Sequence, residues 1–152
     1  MSNRDAVDAT LVSSRALLGV VAKSVGAALE QVSLTQFRLL VLLSTRGPTR
    51  SGDLAMLSGV HPSTLSRMAD RLVERGWVVR SGNPESRREV LIELSESGRV
   101  LVRDVTRARR REIAKILDRL DDEGREQVLA GMRRFALAAG EPDPQDLKIL
   151  GV

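Results

Sequence analysis

The chain has 152 residues, of which 42% are hydrophobic, so it can fold around a core and is not a disordered chain. Its formal net charge is +4, and it contains no cysteine, which excludes disulfide bonds, thiol redox sensing and cysteine–zinc sites. Uninterrupted apolar runs are short, such as Leu39 to Leu43, and the first residues lack a basic-then-apolar signal pattern. We therefore expect a cytoplasmic protein without a membrane span.

The first predicted element is a helix of roughly 25 residues, because apolar side chains recur at intervals of mainly three, four or seven. These positions are Val7, Leu11, Leu18, Val25, Leu29 and Val32. Ser33 and Gln36 have the spacing of a capping box, which predicts the start of a second helix. That helix is apolar on nearly all sides up to Gly47, so we expect it at the centre of the domain.

A short helix over residues 50–57 and a longer helix from Pro62 to Arg75 are predicted in the middle of the chain. His61 is the expected N-cap of the longer helix, and Gly76 its C-terminal stop. The apolar period then changes to two. This change predicts strands over residues 77–80 and 90–94, joined by a hairpin tip over residues 81–89.

Two further helices are predicted, one opened by Ser95 or Ser97 and one running from about Asp121 to Ala139. Apolar helices at both ends exceed what one small domain can bury, which favours a homodimer with interlocking terminal helices. We predict a mainly α fold with a small β-wing, divided into an N-terminal dimerisation helix (1–32), a winged helix-turn-helix (33–98) and C-terminal dimerisation helices with a tail (99–152). In that tail, Ile149 and Leu150 are candidates to dock on the second chain.

Positive charge is concentrated in the middle of the chain. From His61 to Arg111 there are 12 arginines and 7 acidic residues, a net of +5, whereas the remainder has a net of −1. Arginine suits bidentate contacts to phosphate and guanine, although codon usage in a GC-rich genome explains the preference for arginine equally well. With two phenylalanines and one tryptophan, the chain has few platforms for stacking single-stranded bases. Double-stranded DNA is the expected partner.

Four motifs follow one another between residues 54 and 98: LAMLSG, TLSRMADRLVERGWVVR, NPESRREVLIE and LSESG. In these motifs the chain resembles the MarR (multiple-antibiotic-resistance regulator) family of winged helix-turn-helix transcription factors, and the resemblance extends from about Val7 to Ala139. It implies a ligand-responsive repressor that binds a palindromic operator as a homodimer, without catalytic residues, metal or cofactor.

The resemblance also implies which residues contact DNA. They are Ser63, Thr64, Ser66, Arg67, Arg71, Arg87 and Arg88. Arg67 would reach guanine or phosphate in the major groove and Arg71 a phosphate, while Arg88 matches the wing arginine that enters the minor groove. Ser86 stands where the family has an aspartate that braces this arginine, so Glu85 or Glu89 is a candidate substitute. Two alternatives are that Ser63 only caps its helix, and that Arg71 and Arg75 pair with Asp70 or Glu74.

A small anionic or aromatic effector is a further implication of the resemblance, with Arg15, Phe37, Arg38 and Trp77 as candidate ligand-binding residues. For Trp77 the alternative, which we favour, is an anchor in the core. The arginine-rich run 107–111 has the composition of a nucleic-acid patch, but a solvated helix face is the favoured interpretation. His61, the single histidine, is expected to cap a helix or contact phosphate, since metal sites need several ligands.

Two other functions compete with DNA-binding regulation. An enzyme would need a nucleophile–base pair, a metal cluster or a phosphate loop, and the sequence shows none of these motifs. A winged helix that binds another protein in place of DNA is disfavoured by the arginines of the predicted helix and wing.

Overall fold

The computed structural model describes residues 2–141, except for the side chains of Arg87 and Arg88. Within these residues the chain folds into six helices and one three-stranded antiparallel sheet. The elements are α1 (Asn3–Leu29), α2 (Leu34–Arg46), β1 (Thr49–Arg50), α3 (Ser51–Ser58), α4 (Pro62–Glu74), β2 (Val78–Asn83), β3 (Ser86–Leu94), α5 (Glu96–Leu117) and α6 (Asp122–Ala138). The predicted mainly α fold with a small β-wing is confirmed. The tail with Ile149 and Leu150 lies outside the described residues.

Helix starts are set by the capping groups that the sequence predicts. The Ser33 hydroxyl accepts the Gln36 N–H at 3.2 Å, and the Gln36 side chain accepts the Ser33 N–H at 2.9 Å, which completes the capping box of α2. Of the two candidates for α5, Ser95 is the N-cap, since its hydroxyl accepts the Gly98 N–H at 3.1 Å. Asp121 caps α6 in the same way.

The core forms around α2, as its apolar sequence predicts. Leu39 and Leu40 are 1% and 0% exposed. Helices α1, α3 and α5 and strand β3 all contact α2, and the C-terminal half of α1 adds Val25 and Ala28 to the same cluster. This packing holds α4 and the sheet against the core, because Leu65 of α4 and Ile92 of β3 join the cluster as well.

The sheet differs from the prediction in two respects. Strand β1 was not predicted, because two residues are too short to show a period of two. The hairpin tip is also shorter than predicted. Pairing with β3 extends β2 to Asn83, although the Ser-Gly-Asn sequence there is typical of a turn. Only residues 84 and 85 separate the two strands.

The terminal helices leave much of their apolar surface exposed. Helix α6 contains no buried residue, and every described residue of α1 up to Gly19 is exposed. Among the described residues, α1 is also the one helix long and apolar enough to cross a membrane, by length and composition alone. Length and composition alone do not distinguish a membrane span from a helix of a folded domain, so the expectation of a protein without a membrane span stays a prediction. The apolar runs of α1 are short because glycine, serine and charged residues are interspersed with its larger apolar residues.

Candidate nucleic-acid interface

Helix α4 has one buried face and one polar face. Leu65, Ala69 and Leu72 are 0%, 2% and 1% exposed and hold the helix against the core. The opposite face exposes four of the predicted DNA-binding residues: Ser63, Ser66, Arg67 and Arg71. Thr64 is half-buried. Because residues four apart lie on the same side of a helix, positions 63, 67 and 71 form one polar stripe. Hydroxyls and guanidinium groups on such a stripe can bond to phosphates and base edges.

The first turn of α4 is organised by His61. Its Nδ1 accepts the Ser63 N–H at 3.3 Å and lies 2.8 Å from Ser63 Oγ. His61 is therefore the N-cap, as predicted, and the Ser63 hydroxyl contacts this cap, so the alternative that Ser63 only helps to cap the helix stays a prediction. Pro62 occupies the first helical position, where its missing N–H has no cost.

An ion pair and a hydrogen bond connect α4 and its C-cap residue to neighbouring elements, and the sequence predicted neither. Asp70 pairs with Arg80 of β2, which links α4, the helix whose exposed face carries the predicted DNA-binding residues, to a strand of the wing. Arg75 donates a hydrogen bond to the Gln31 carbonyl at 2.8 Å, between α1 and α2. In the described part of the chain no ion pair joins Arg71 or Arg75 to Asp70 or Glu74, so the alternative in which these arginines pair on the helix surface is wrong. Arg71 lies exposed on the helix surface.

In the wing, three polar side chains lie close together. Glu89 Oε2 lies 3.1 Å from Arg50 Nε and accepts a hydrogen bond from Asn83 Nδ2 at 2.7 Å. The Glu85 N–H donates to Asn83 Oδ1 at 3.0 Å. The sequence indicated Glu89 as a candidate brace but not Arg50 and Asn83, because partners from different elements share no local pattern. The backbone of Arg87 and Arg88 belongs to β3, whereas their side chains lie outside the described part of the structure.

The arginine-rich run 107–111 belongs to α5. Three of its four arginines are exposed to solvent and one contacts α1. Arg107, Arg110 and Arg111 are exposed, and Arg107 pairs with Asp104 one turn earlier at 3.9 Å. Arg109 turns toward α1, where its Nε donates to Ser24 Oγ at 3.2 Å. Partial burial there lowers the pKa of Arg109. Packing between α1 and α5 thus accounts for one of these arginines.

The four candidate effector-binding residues are spread over the fold. Arg15 and Arg38 are exposed on α1 and α2, and Phe37 is 4% exposed within the core. Trp77 is partly buried against the core, which fits an anchoring role. A cavity of about 350 Å³ lies beside Trp77 and is also lined by Gln31 and residues 96–104 of α5. Arg15, Phe37 and Arg38 do not line this cavity.

An exposed helix with hydroxyls and arginines, followed by a two-stranded antiparallel wing, defines a winged helix-turn-helix protein. The family model of the MarR family matches residues 32–90. The HTH-type transcriptional regulator Mb0904 of Mycobacterium bovis is 34% identical over 113 residues, which cover 74% of this chain and 78% of that protein.

Solved structures agree with this assignment. The crystal structure of Rv1404 from Mycobacterium tuberculosis has 41% sequence identity and a TM-score of 0.82, over 95% of this chain and 99% of that one. FabT of Streptococcus pneumoniae, solved in complex with DNA, shares the fold with a TM-score of 0.70 at 17% identity, over 90% and 96% of the two chains. The chain belongs to the MarR family. It is a DNA-binding transcriptional regulator and not an enzyme.

Proposed function

We propose that the protein is a repressor that binds a palindromic operator as a homodimer and releases it when a small effector binds. The observation that carries the proposal is the polar stripe of α4, which lies opposite a buried face that packs against the core. In this arrangement Ser63, Thr64, Ser66, Arg67 and Arg71 contact the major groove and its phosphates. Arg87 and Arg88 contact the neighbouring minor groove from the wing.

Dimerisation is supported by the unpartnered apolar faces of α1 and α6. Large apolar side chains of α6 are half exposed, including Leu129 at 56% and Phe135 at 57%, and on α1 Leu18 is 69% exposed. A groove of about 350 Å³ runs between the two helices, lined by Leu17, Met132 and Phe135 among others. Exposed apolar area of this extent is unfavourable in water, and a second copy would cover it with the same surface.

The location that we propose is the cytoplasm, where a DNA-binding protein meets its operator. Insertion of α1 into a membrane would conflict with the packing of its C-terminal half. Val20, Val25 and Ala28 are 6%, 3% and 1% exposed in the folded domain, and removing them from the core would expose apolar residues of α2 and α5 to water. Coverage of α1 by a partner chain keeps this packing intact.

For the effector, we propose a small anionic or aromatic molecule bound between the dimerisation helices and the DNA-binding region. The cavity beside Trp77 supports this position, because it joins the start of α5 to the α1–α2 connection. Arg15 and Arg38, which are exposed, remain candidates in a dimer, in which the partner's surface adds to each site, whereas Phe37 lies in the core. Titration of candidate aromatic acids against the DNA complex tests this part, and release of DNA by none of them would contradict it.

The DNA-binding proposal is tested with a duplex selected by the protein from a random-sequence library. Fluorescence anisotropy should show binding at least ~10³ times tighter than to a scrambled duplex, with affinity falling steeply as salt rises. Arg67→Ala should weaken binding about tenfold or more, the cost of a lost bidentate base contact. Arg119→Ala, in the connection between α5 and α6 and outside the proposed DNA-binding residues, is the matched control and should bind like the wild type. Equal affinity for selected and scrambled DNA would refute sequence-specific recognition.

The dimer is tested by placing one charge in the exposed groove. Phe135→Asp should give monomers in sedimentation analysis, because a buried unpaired carboxylate is strongly unfavourable. Leu34→Asp is the control, since Leu34 is 61% exposed at the start of α2 and belongs to neither α1 nor α6. A dimeric Phe135→Asp would show that the interface lies elsewhere. Repression is tested with a reporter gene behind the selected operator, whose expression should fall when the protein is supplied.

A further inference from the structure

Strand pairing leaves the wing arginines without a fixed register. Gly82 of β2 is opposite Val90 of β3, yet the next residue, Asn83, is opposite Ser86. The shift of register therefore leaves residues 87–89 of β3 without a partner position on β2. A bulge of this kind disrupts the local ladder, so backbone hydrogen bonds between the strands do not by themselves fix the position of the segment that carries Arg87 and Arg88.

The last residue of this bulge is held by its side chain. The Glu89 carboxylate lies 3.1 Å from Arg50 Nε and accepts the Asn83 amide at 2.7 Å. Arg50 belongs to β1 and is the residue from which α3 starts, while Asn83 ends β2 and orders the turn through the Glu85 N–H at 3.0 Å. One carboxylate thus connects the wing tip to both neighbouring strands and to the start of the helix-turn-helix.

We propose that Glu89 is the positioning residue of the wing, fixing the bulged segment so that Arg88 enters the DNA groove in register with α4. This inference rests on the proposed DNA contact by the wing. Two acceptor contacts from different strands restrict the segment before DNA is bound, so less conformational freedom is lost on binding.

Removal of the Glu89 carboxylate should change DNA affinity if Glu89 positions the wing, and folding stability if its role is only structural. The side chains of Arg50 and Glu89 are 51% and 37% exposed, and ion pairs so exposed contribute little to folding stability. Glu89 also places a negative charge on a surface that faces phosphates. If it were only a surface charge, its removal would leave DNA affinity unchanged or raise it. A loss of affinity without a loss of stability therefore identifies positioning.

The experiment measures anisotropy of the library-selected duplex with the full-length protein. Glu89→Ala should bind about tenfold more weakly, the cost of re-ordering one or two side chains at an interface, and its melting temperature should stay near that of the wild type. Glu93→Ala, the same charge change on the same strand, should bind equally well or more tightly. Asn83→Ala removes the other contact and should also weaken binding, which keeps the test decisive if Glu89→Ala folds poorly.

A double-mutant cycle with Arg88→Ala completes the test. If Glu89 acts through Arg88, the loss caused by Arg88→Ala should be much smaller in the Glu89→Ala background than in the wild type. Additive losses of affinity in the double mutant would overturn this inference alone. Unchanged or tighter DNA binding by Glu89→Ala and Asn83→Ala would do the same, provided that Arg88→Ala weakens DNA binding. Unchanged affinity of Arg88→Ala itself would overturn the proposed wing contact and, with it, the role of Glu89.

Discussion

Gly98, in the first turn of α5, allows that helix to pack against the base of the wing. A β-carbon added at Gly98 would lie 2.2 Å from the Trp77 carbonyl oxygen and 3.1 Å from Leu94 Cδ2. The carbonyl cannot move away freely, because it accepts the Ser95 N–H at 3.1 Å and the Ser95 hydroxyl is bonded to the preceding carbonyl, that of Gly76. Gly98→Ala therefore forces a shift of backbone against backbone.

The expected change in the free energy of unfolding is the sum of two costs and one gain. Overpacking a tight site costs about 1–3 kcal/mol, and weakening the Ser95 hydrogen bond costs about 1 kcal/mol more. The higher helix propensity of alanine offsets about 1 kcal/mol. We expect Gly98→Ala to lower the free energy of unfolding by about 2 kcal/mol, which lowers the melting temperature by about 4–8 °C in a chain of this length.

Thermal melts followed by circular dichroism measure this change, at equal protein concentrations because association shifts the melting temperature. Gly52→Ala is the matched control. Gly52 also lies in the first turn of a helix, α3, but a β-carbon there would meet no atom within 4 Å. It should melt at or slightly above the wild-type temperature. If Gly98→Ala does the same, the close approach to Trp77 does not limit this position.

Two further predictions concern single side chains. His61→Ala removes the N-cap of α4 and should lower the free energy of unfolding by about 0.5–1 kcal/mol, whereas His61→Ser retains a capping oxygen and should recover most of it in thermal melts; equal loss in both would contradict the capping role. A hydrogen bond from Lys115, with the charges of Lys115, Lys23 and Arg111, holds the pKa of Glu112 below its usual value. This stabilisation is present at neutral pH and is lost as pH falls through the lowered pKa, so Glu112→Gln should be less stable than the wild type at pH 7 and equal to it at pH values below that lowered pKa. A difference that persists in acid would show that the ion pairs are not its cause.

Features that depend on neighbours within a few residues could be predicted from the sequence. The capping groups Ser33 and His61 are confirmed, because a cap bonds to N–H groups two or three positions along the chain. Apolar periodicity correctly predicted which face of α4 is buried and therefore which side chains it exposes. The motifs from LAMLSG to LSESG, at their fixed spacing, were enough to indicate the family.

Other features depend on the folded chain. Strand β1, the pairing of Asp70 with Arg80 and the contacts of Glu89 with Arg50 and Asn83 connect different elements, so no local pattern encodes them. The burial of Phe37, a candidate ligand residue in the sequence, follows from the central position of α2.

The sequence by itself therefore determined the six helices, the polar face of α4 and the regulator family, because capping and periodicity act over one or two helical turns. Only the tertiary structure decided how the wing is attached to the helix-turn-helix. Side chains from β1, β2 and β3 meet there because strand pairing brings distant parts of the chain together.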